Sequence, residues 1–115
     1  MPTYSGARVA VGFHHYGTIT TRFALSLLAA ARYDGTKIGA VIERGGPYVD
    51  EARNQIASEF MKLPFEYLLM IDADIEFPED SITKTMFVAE TMQADVVWGN
   101  YSLGHFGNSI FLVGL

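Results

Sequence analysis

A chain of 115 residues is a single domain, long enough for one hydrophobic core and short for a complete two-substrate enzyme. Half of it is apolar, which argues for folding over disorder, and its net charge of −5 argues against a nucleic-acid binder, which needs a basic face for phosphates. It has no cysteine, hence no disulfide, thiolate zinc site or thiol nucleophile; with no signal-peptide pattern and no apolar run near the roughly 20 residues that span a bilayer, the expectation is a cytoplasmic protein without a transmembrane segment.

Arg8 to Phe13 (RVAVGF) is a short β-branched run and predicts a first strand, followed by a polar, glycine-bearing loop from His14 to Gly17. Thr20 to Tyr33 is rich in leucine and alanine, has threonine available as N-cap and meets Gly35 as a stop, which predicts a helix. Lys37 to Ile42 is a second strand, and Arg44-Gly45-Gly46-Pro47 a loop. Val49 to Lys62 is a second helix, closed off by Pro64. Tyr67 to Ile71 is nearly all apolar, as a central strand covered on both faces would be. Pro78 to Met92 is a third helix, with Glu79 and Asp80 in its first turn. Asp95 to Trp98 is a fourth strand, Gly99 to Gly107 a loop, and Ser109 to Leu115 an apolar tail able to form one more strand. The alternation β-α-β-α-β-α-β predicts an α/β fold: a mostly parallel open sheet with helices on both faces.

In such sheets ligands sit beyond the carboxyl ends of the strands, where Asp72 and Asp74 follow the third strand. Two residues apart in an extended segment, they point to one side. Paired carboxylates repel, and a hard divalent cation such as Mg²⁺ or Mn²⁺ resolves the repulsion, completed by phosphates of a substrate. The plain alternative is a loop of solvated acids, the better description of Glu76, Glu79 and Asp80.

The second helix points to the same edge. At about 100° per residue, Ile56 and Phe60 fall roughly 20° to either side of Val49, and Arg53 lands roughly 40° away, inside the apolar stripe. A guanidinium facing the sheet needs a carboxylate or phosphate partner, and Asp72 and a ligand diphosphate are the candidates. The plain alternative is an arginine snorkelling out from the edge of the stripe.

Val49-Asp50-Glu51-Ala52-Arg53-Asn54-Gln55-Ile56, Tyr67 to Pro78 with its Asp72-Ala73-Asp74, and Ala94 to Tyr101 together resemble the glycosyltransferase family 2-like proteins of the GT-A fold, in the style of phage and environmental variants. The resemblance covers roughly residues 7 to 101. It implies that Asp72 and Asp74 hold a metal (Mn²⁺ or Mg²⁺) and a nucleotide-diphosphate sugar donor, that Arg53 lies on the nucleotide side, and that Phe13 to Gly17 approaches the base. His14 and His15 are no hallmark of that family and are expected to be loop residues. The family's catalytic base is a later acidic residue. None follows Tyr101, so the catalytic residue is unknown and the chain is expected to be the N-terminal, donor-binding half, ending at an interruption. The acceptor is unknown.

A second reading is a non-catalytic module that binds a sugar nucleotide or a partner chain. A third is a phosphatase of the haloacid dehalogenase type, in which the first Asp of such a motif is the nucleophile. That motif usually continues with threonine near the chain start, whereas Ile75 and Glu76 follow here. The apolar tail, as an unpaired edge strand, would invite a homo-oligomer; the plain alternative is an ordinary terminal strand covered by its own domain.

Overall fold

The computed structural model describes residues 8–33, 38–94, 96–102 and 107–114, the last two segments through their backbone. Five strands, β1 (Val9–His15), β2 (Ile38–Gly45), β3 (Tyr67–Ile71), β4 (Val96–Ser102) and β5 (Gly107–Gly114), form one sheet in the order β2-β1-β3-β5-β4. Three helices, α1 (Thr21–Tyr33), α2 (Val49–Phe60) and α3 (Ser81–Thr91), alternate with the first four strands. β1 pairs in parallel with both β2 and β3. β5 is antiparallel to β3 and to β4.

The sheet has a core on each face, and the pleat of its central strands explains why. Val9 and Val11 of β1 and Leu69 and Ile71 of β3 join Phe23 and Ala30 of α1 and Ile82, Met86 and Ala89 of α3. Their neighbours Ala10 and Leu68 point the other way, to Ile42, Phe65, and Ile56 and Phe60 of α2. The fully apolar sequence of β3 is thus that of a strand covered on both sides. Gly12 lets α2 come close to the sheet: a Cβ there would lie 2.5 Å from Ile56 Cγ2.

Several expectations change at their boundaries. β2 runs on through Gly45, into residues expected to be loop, because Glu43, Arg44 and Gly45 pair with Phe13, His14 and His15. β4 likewise extends to Ser102 by pairing with β5. α3 begins at Ser81, so Glu79 and Asp80 precede it; Asp80 occupies the N-cap position without a side-chain cap bond. The apolar tail is no edge: β5 is held between β3 and β4, and the sheet's edges are β2 and β4. The unpaired strand that would have recruited a second copy is therefore paired on both sides. Gly35 and Asp95 lie outside the described residues.

Arg8 fastens the opposite, N-terminal edge of the sheet. Its guanidinium donates to both oxygens of Glu66 (2.7 and 3.0 Å), reaches Glu90 at 2.7 Å and lies 5.5 Å from the Tyr67 ring centroid. Hydrogen bonding from Arg8, outweighing partial burial, holds the Glu66 carboxyl below its ordinary range. A depressed carboxyl stabilises the fold above its unfolded value, near pH 4.3, and loses that contribution as pH falls through the folded value. Glu66 is more than half exposed, so the effect is on the scale of surface pairs, about 0.2–1 kcal/mol. Arg8→Ala is expected to lower the melting temperature at neutral pH and to narrow its gap from wild type below about pH 4. Thermal melts across that pH range check it.

Candidate functional site at the strand switch point

From β1 the chain passes to β2 on one side, then returns across β1 to β3 on the other. The order of strands reverses there, and in open α/β sheets the crevice outside the carboxyl ends at such a point is where ligands bind. A cleft of about 370 Å³ lies at this place. His14, His15 and Tyr16 line it from the end of β1, Thr18 to Thr20 from the entry to α1, Val49 from α2, and Asp72, Ala73 and Asp74 from the end of β3. Of the three residues expected to form the site, Asp72 and Asp74 line this cleft, and Arg53 lies beside it, lining a smaller neighbouring pocket together with Asp72.

Arg53 Nη2 donates to Asp72 Oδ1 at 3.4 Å, with the two side chains 42% and 37% exposed. Ala52, Ile56 and Phe60 around it are buried, so the apolar stripe holds the stem of Arg53 while its head reaches the carboxylate. At 3.4 Å the contact is longer than a charge-assisted bond at its optimum, about 2.7–2.9 Å.

Asp72 and Asp74 do not sit on a continuous extended segment. The strand ends at Ile71, and Ala73 and Asp74 form a turn. Asp72 is half-buried and Asp74 exposed, and both face the same cleft. What positions the turn is α1. Ala73 carbonyl accepts the Thr20 N–H at 3.3 Å, and Ser26 Oγ, buried, accepts the Phe77 N–H at 3.1 Å. Ile75 and Phe77 are buried between them, leaving Asp74 and Glu76 outside. The expected threonine cap is present: Thr20 Oγ1 accepts the Phe23 N–H at 3.1 Å.

His14 and His15, expected in a loop, are the last residues of β1. His14 Nε2 donates to the Gly46 carbonyl. His15 Nε2 bonds to the Glu43 carboxylate, and its Nδ1 accepts the Gly17 N–H at 2.9 Å. Gly17 and Gly46 have φ of 119° and 122°, where a side chain would be strained. The two histidines therefore latch the turns after β1 and β2 together and form the far wall of the cleft. Periodicity gave no sign of this, because the latch joins residues some thirty positions apart.

The donor chemistry suits a hard cation only in part. Among the described residues no group of three or more His, Asp or Glu side chains is placed to hold a metal. Two carboxylates at one cleft fit the manner in which Mg²⁺ or Mn²⁺ is commonly bound, with a substrate's phosphate oxygens completing the shell.

No family model matches this chain, and no curated protein does. Among solved structures it is similar to a protein from Desulfovibrio desulfuricans G20 named "putative nucleotide-diphospho-sugar transferase", with a TM-score of 0.59 and 9% identity over 93% of this chain. The chain spans 64% of that structure's length. No helix among the described residues is long and apolar enough to cross a membrane. At that identity the likeness speaks for architecture alone, and the architecture is a GT-A-like α/β fold.

Proposed function

We propose that the chain is the donor-binding half of a glycosyltransferase-type protein, holding a nucleotide-diphosphate sugar in the cleft at the switch point. The observation that carries this reading is the Arg53–Asp72 pair beside Asp74, at the cleft between the ends of β1 and β3. Asp72 and Asp74 would hold Mn²⁺ or Mg²⁺, which neutralises the charge of a diphosphate leaving group. Arg53 offers the diphosphate a planar, permanently charged donor and also orients Asp72. Ile75 and Phe77 keep the Asp74 turn in place from below, and the Thr20 N–H holds it from the side. No residue of this chain is assigned as the base that would activate an acceptor, and the acceptor is left open.

Calorimetry with a panel of nucleotide sugars, with and without Mn²⁺, tests the reading. One of them is expected to bind the wild type in a metal-dependent manner and to bind Asp74→Ala at least about tenfold more weakly. Equal binding by both, or none by either, defeats it. Arg53→Ala is expected to weaken donor binding by more than about 1 kcal/mol, roughly fivefold. An unchanged affinity and melting temperature would return Arg53 to the surface. Assays of sugar transfer and donor hydrolysis divide an enzyme from a module: metal-dependent binding with neither activity favours the module.

A further inference from the structure

The turn that leaves β1 is tied down through one titratable side chain. Gly17 N–H donates to His15 Nδ1 at 2.9 Å, and His15 Nε2 bonds to the Glu43 carboxylate. Room for the ring comes from Gly45 on β2, where a Cβ would lie 2.7 Å from His15 Cε1. Phe13, two residues back on the same face of β1, stands beside it at 6.2 Å between ring centroids. The His15 side chain is only 19% exposed, so these neighbours fix where the ring lies. It borders two cavities. One is the cleft that it shares with Asp72 and Asp74; the other is a hollow of about 310 Å³ lined also by Phe13, Gly17, Thr18, Ile19 and Glu43.

A backbone N–H can only donate, so the bond from Gly17 exists only while Nδ1 carries no proton. A doubly protonated ring has a donor on each nitrogen, and its two partners respond in opposite ways. The Glu43 carboxylate gains from a positive ring and holds the imidazolium where the ring already stood. The Gly17 N–H is left facing another N–H. The turn is the side free to yield: Gly17 has φ of 119°, and a Cβ built on it meets nothing within 4 Å.

The titratable groups that face the ring are Glu43 from β2, Asp72 and Asp74 from the end of β3 across the cleft, and the neighbours His14 and Tyr16. Among the described residues, α1 contributes none to either cavity, and no Lys or Arg lines them. Of these residue types, histidine is the one whose ordinary titration falls between about pH 5 and 8. Protonation of His14 leaves its own bond intact, because Nε2 donates to the Gly46 carbonyl in either state. We propose that protonation of His15 releases the Gly17 turn and loosens the β1 wall of the cleft, a pH-sensitive latch built into the fold. The turn carries Tyr16 and Thr18 into the cleft lining, and a little further on the Thr20 N–H holds Ala73, between Asp72 and Asp74. Acid thus reaches the candidate site through the chain, apart from any protonation of the two carboxylates. The latch goes beyond donor binding and stands whichever ligand the cleft takes.

Backbone and histidine-ring NMR of the full chain between about pH 8 and 5 tests it. The Gly17 amide signal is expected to shift with the same midpoint as the His15 ring. Its hydrogen exchange, corrected for the intrinsic pH dependence, should be about three- to tenfold faster on the acid side, the worth of one hydrogen bond. His15→Asn keeps an acceptor oxygen in the position of Nδ1 and does not titrate, so its Gly17 amide should be equally protected at both ends of the range. Glu43→Gln retains the ring, and Gly17 should still follow its midpoint wherever that falls. A Gly17 amide indifferent to the titration of His15, in the wild type or in Glu43→Gln, overturns the proposal. So does an acid response that persists in His15→Asn, which would assign it to His14 or to the carboxylates across the cleft. If His15→Asn does not fold, the wild type and Glu43→Gln decide by themselves.

Discussion

Asp72→Ala is expected to remove metal-promoted donor binding, with a loss of at least about 2 kcal/mol, or some thirtyfold in Kd. The size of the effect follows from where Asp72 stands. It is the first residue after β3, it faces the cleft, and it is the partner of Arg53. The substitution removes one of two carboxylates available to a cation and takes from the guanidinium the acid it meets at this strand end. The fold should be nearly unaffected, since the side chain is 37% exposed and its ion pair is long; a stability change within about 1 kcal/mol is expected. A double-mutant cycle then separates the two roles of Arg53. If Arg53 acts by orienting Asp72, Arg53→Ala adds nothing in the Asp72→Ala background. If it reaches the diphosphate itself, it costs about 1 kcal/mol in either background. Wild-type affinity in Asp72→Ala would remove the site from this strand end altogether.

The parts of this molecule legible in its sequence are those whose determinants are local. β3 and α2 are found where an unbroken apolar run and a 3.6-residue stripe place them. Arg53 is legible for the same reason: a charge inside an apolar stripe demands a partner, and the partner is the one the strand order puts opposite it. The extensions of β2 and β4 are not local. Arg44, Gly45, Gly99 and Asn100 have little strand preference of their own and are strand because a neighbour pairs with them. The start of α3 is delayed because buried Ile75 and Phe77 tie the preceding chain to α1 before Pro78 is reached. The position of β5 rests on a register between residues some forty positions apart, such as Leu69 and Leu112, which no pattern along the chain encodes. The histidine latch fails to show for the same reason. Both histidines are ordinary polar residues until Glu43 and Gly46 are brought beside them.

Phe23→Ala is expected to destabilise the fold by about 3–5 kcal/mol, the range for emptying a buried aromatic site. Phe23 is fully buried, meets Phe13 edge-to-face at 5.0 Å between centroids, and lies 6.3 Å from Phe77. Such aromatic pairs add about 0.5–1.5 kcal/mol to the burial itself. For a domain whose whole stability is about 5–15 kcal/mol, that loss is a large share. Urea unfolding with an unchanged m-value reads it directly. Leu25→Ala, two residues along the same helix but 60% exposed, should stay within about 0.5 kcal/mol. The consequence reaches the cleft because α1 holds the Asp74 turn through Thr20 and Ser26, one on either side of Phe23. Loosening α1 frees Ala73 and Phe77 together, so donor binding should fall even at temperatures where Phe23→Ala remains folded. A Phe23→Ala protein that binds donor as wild type does would mean that β3 alone, without α1, sets the carboxylates in place.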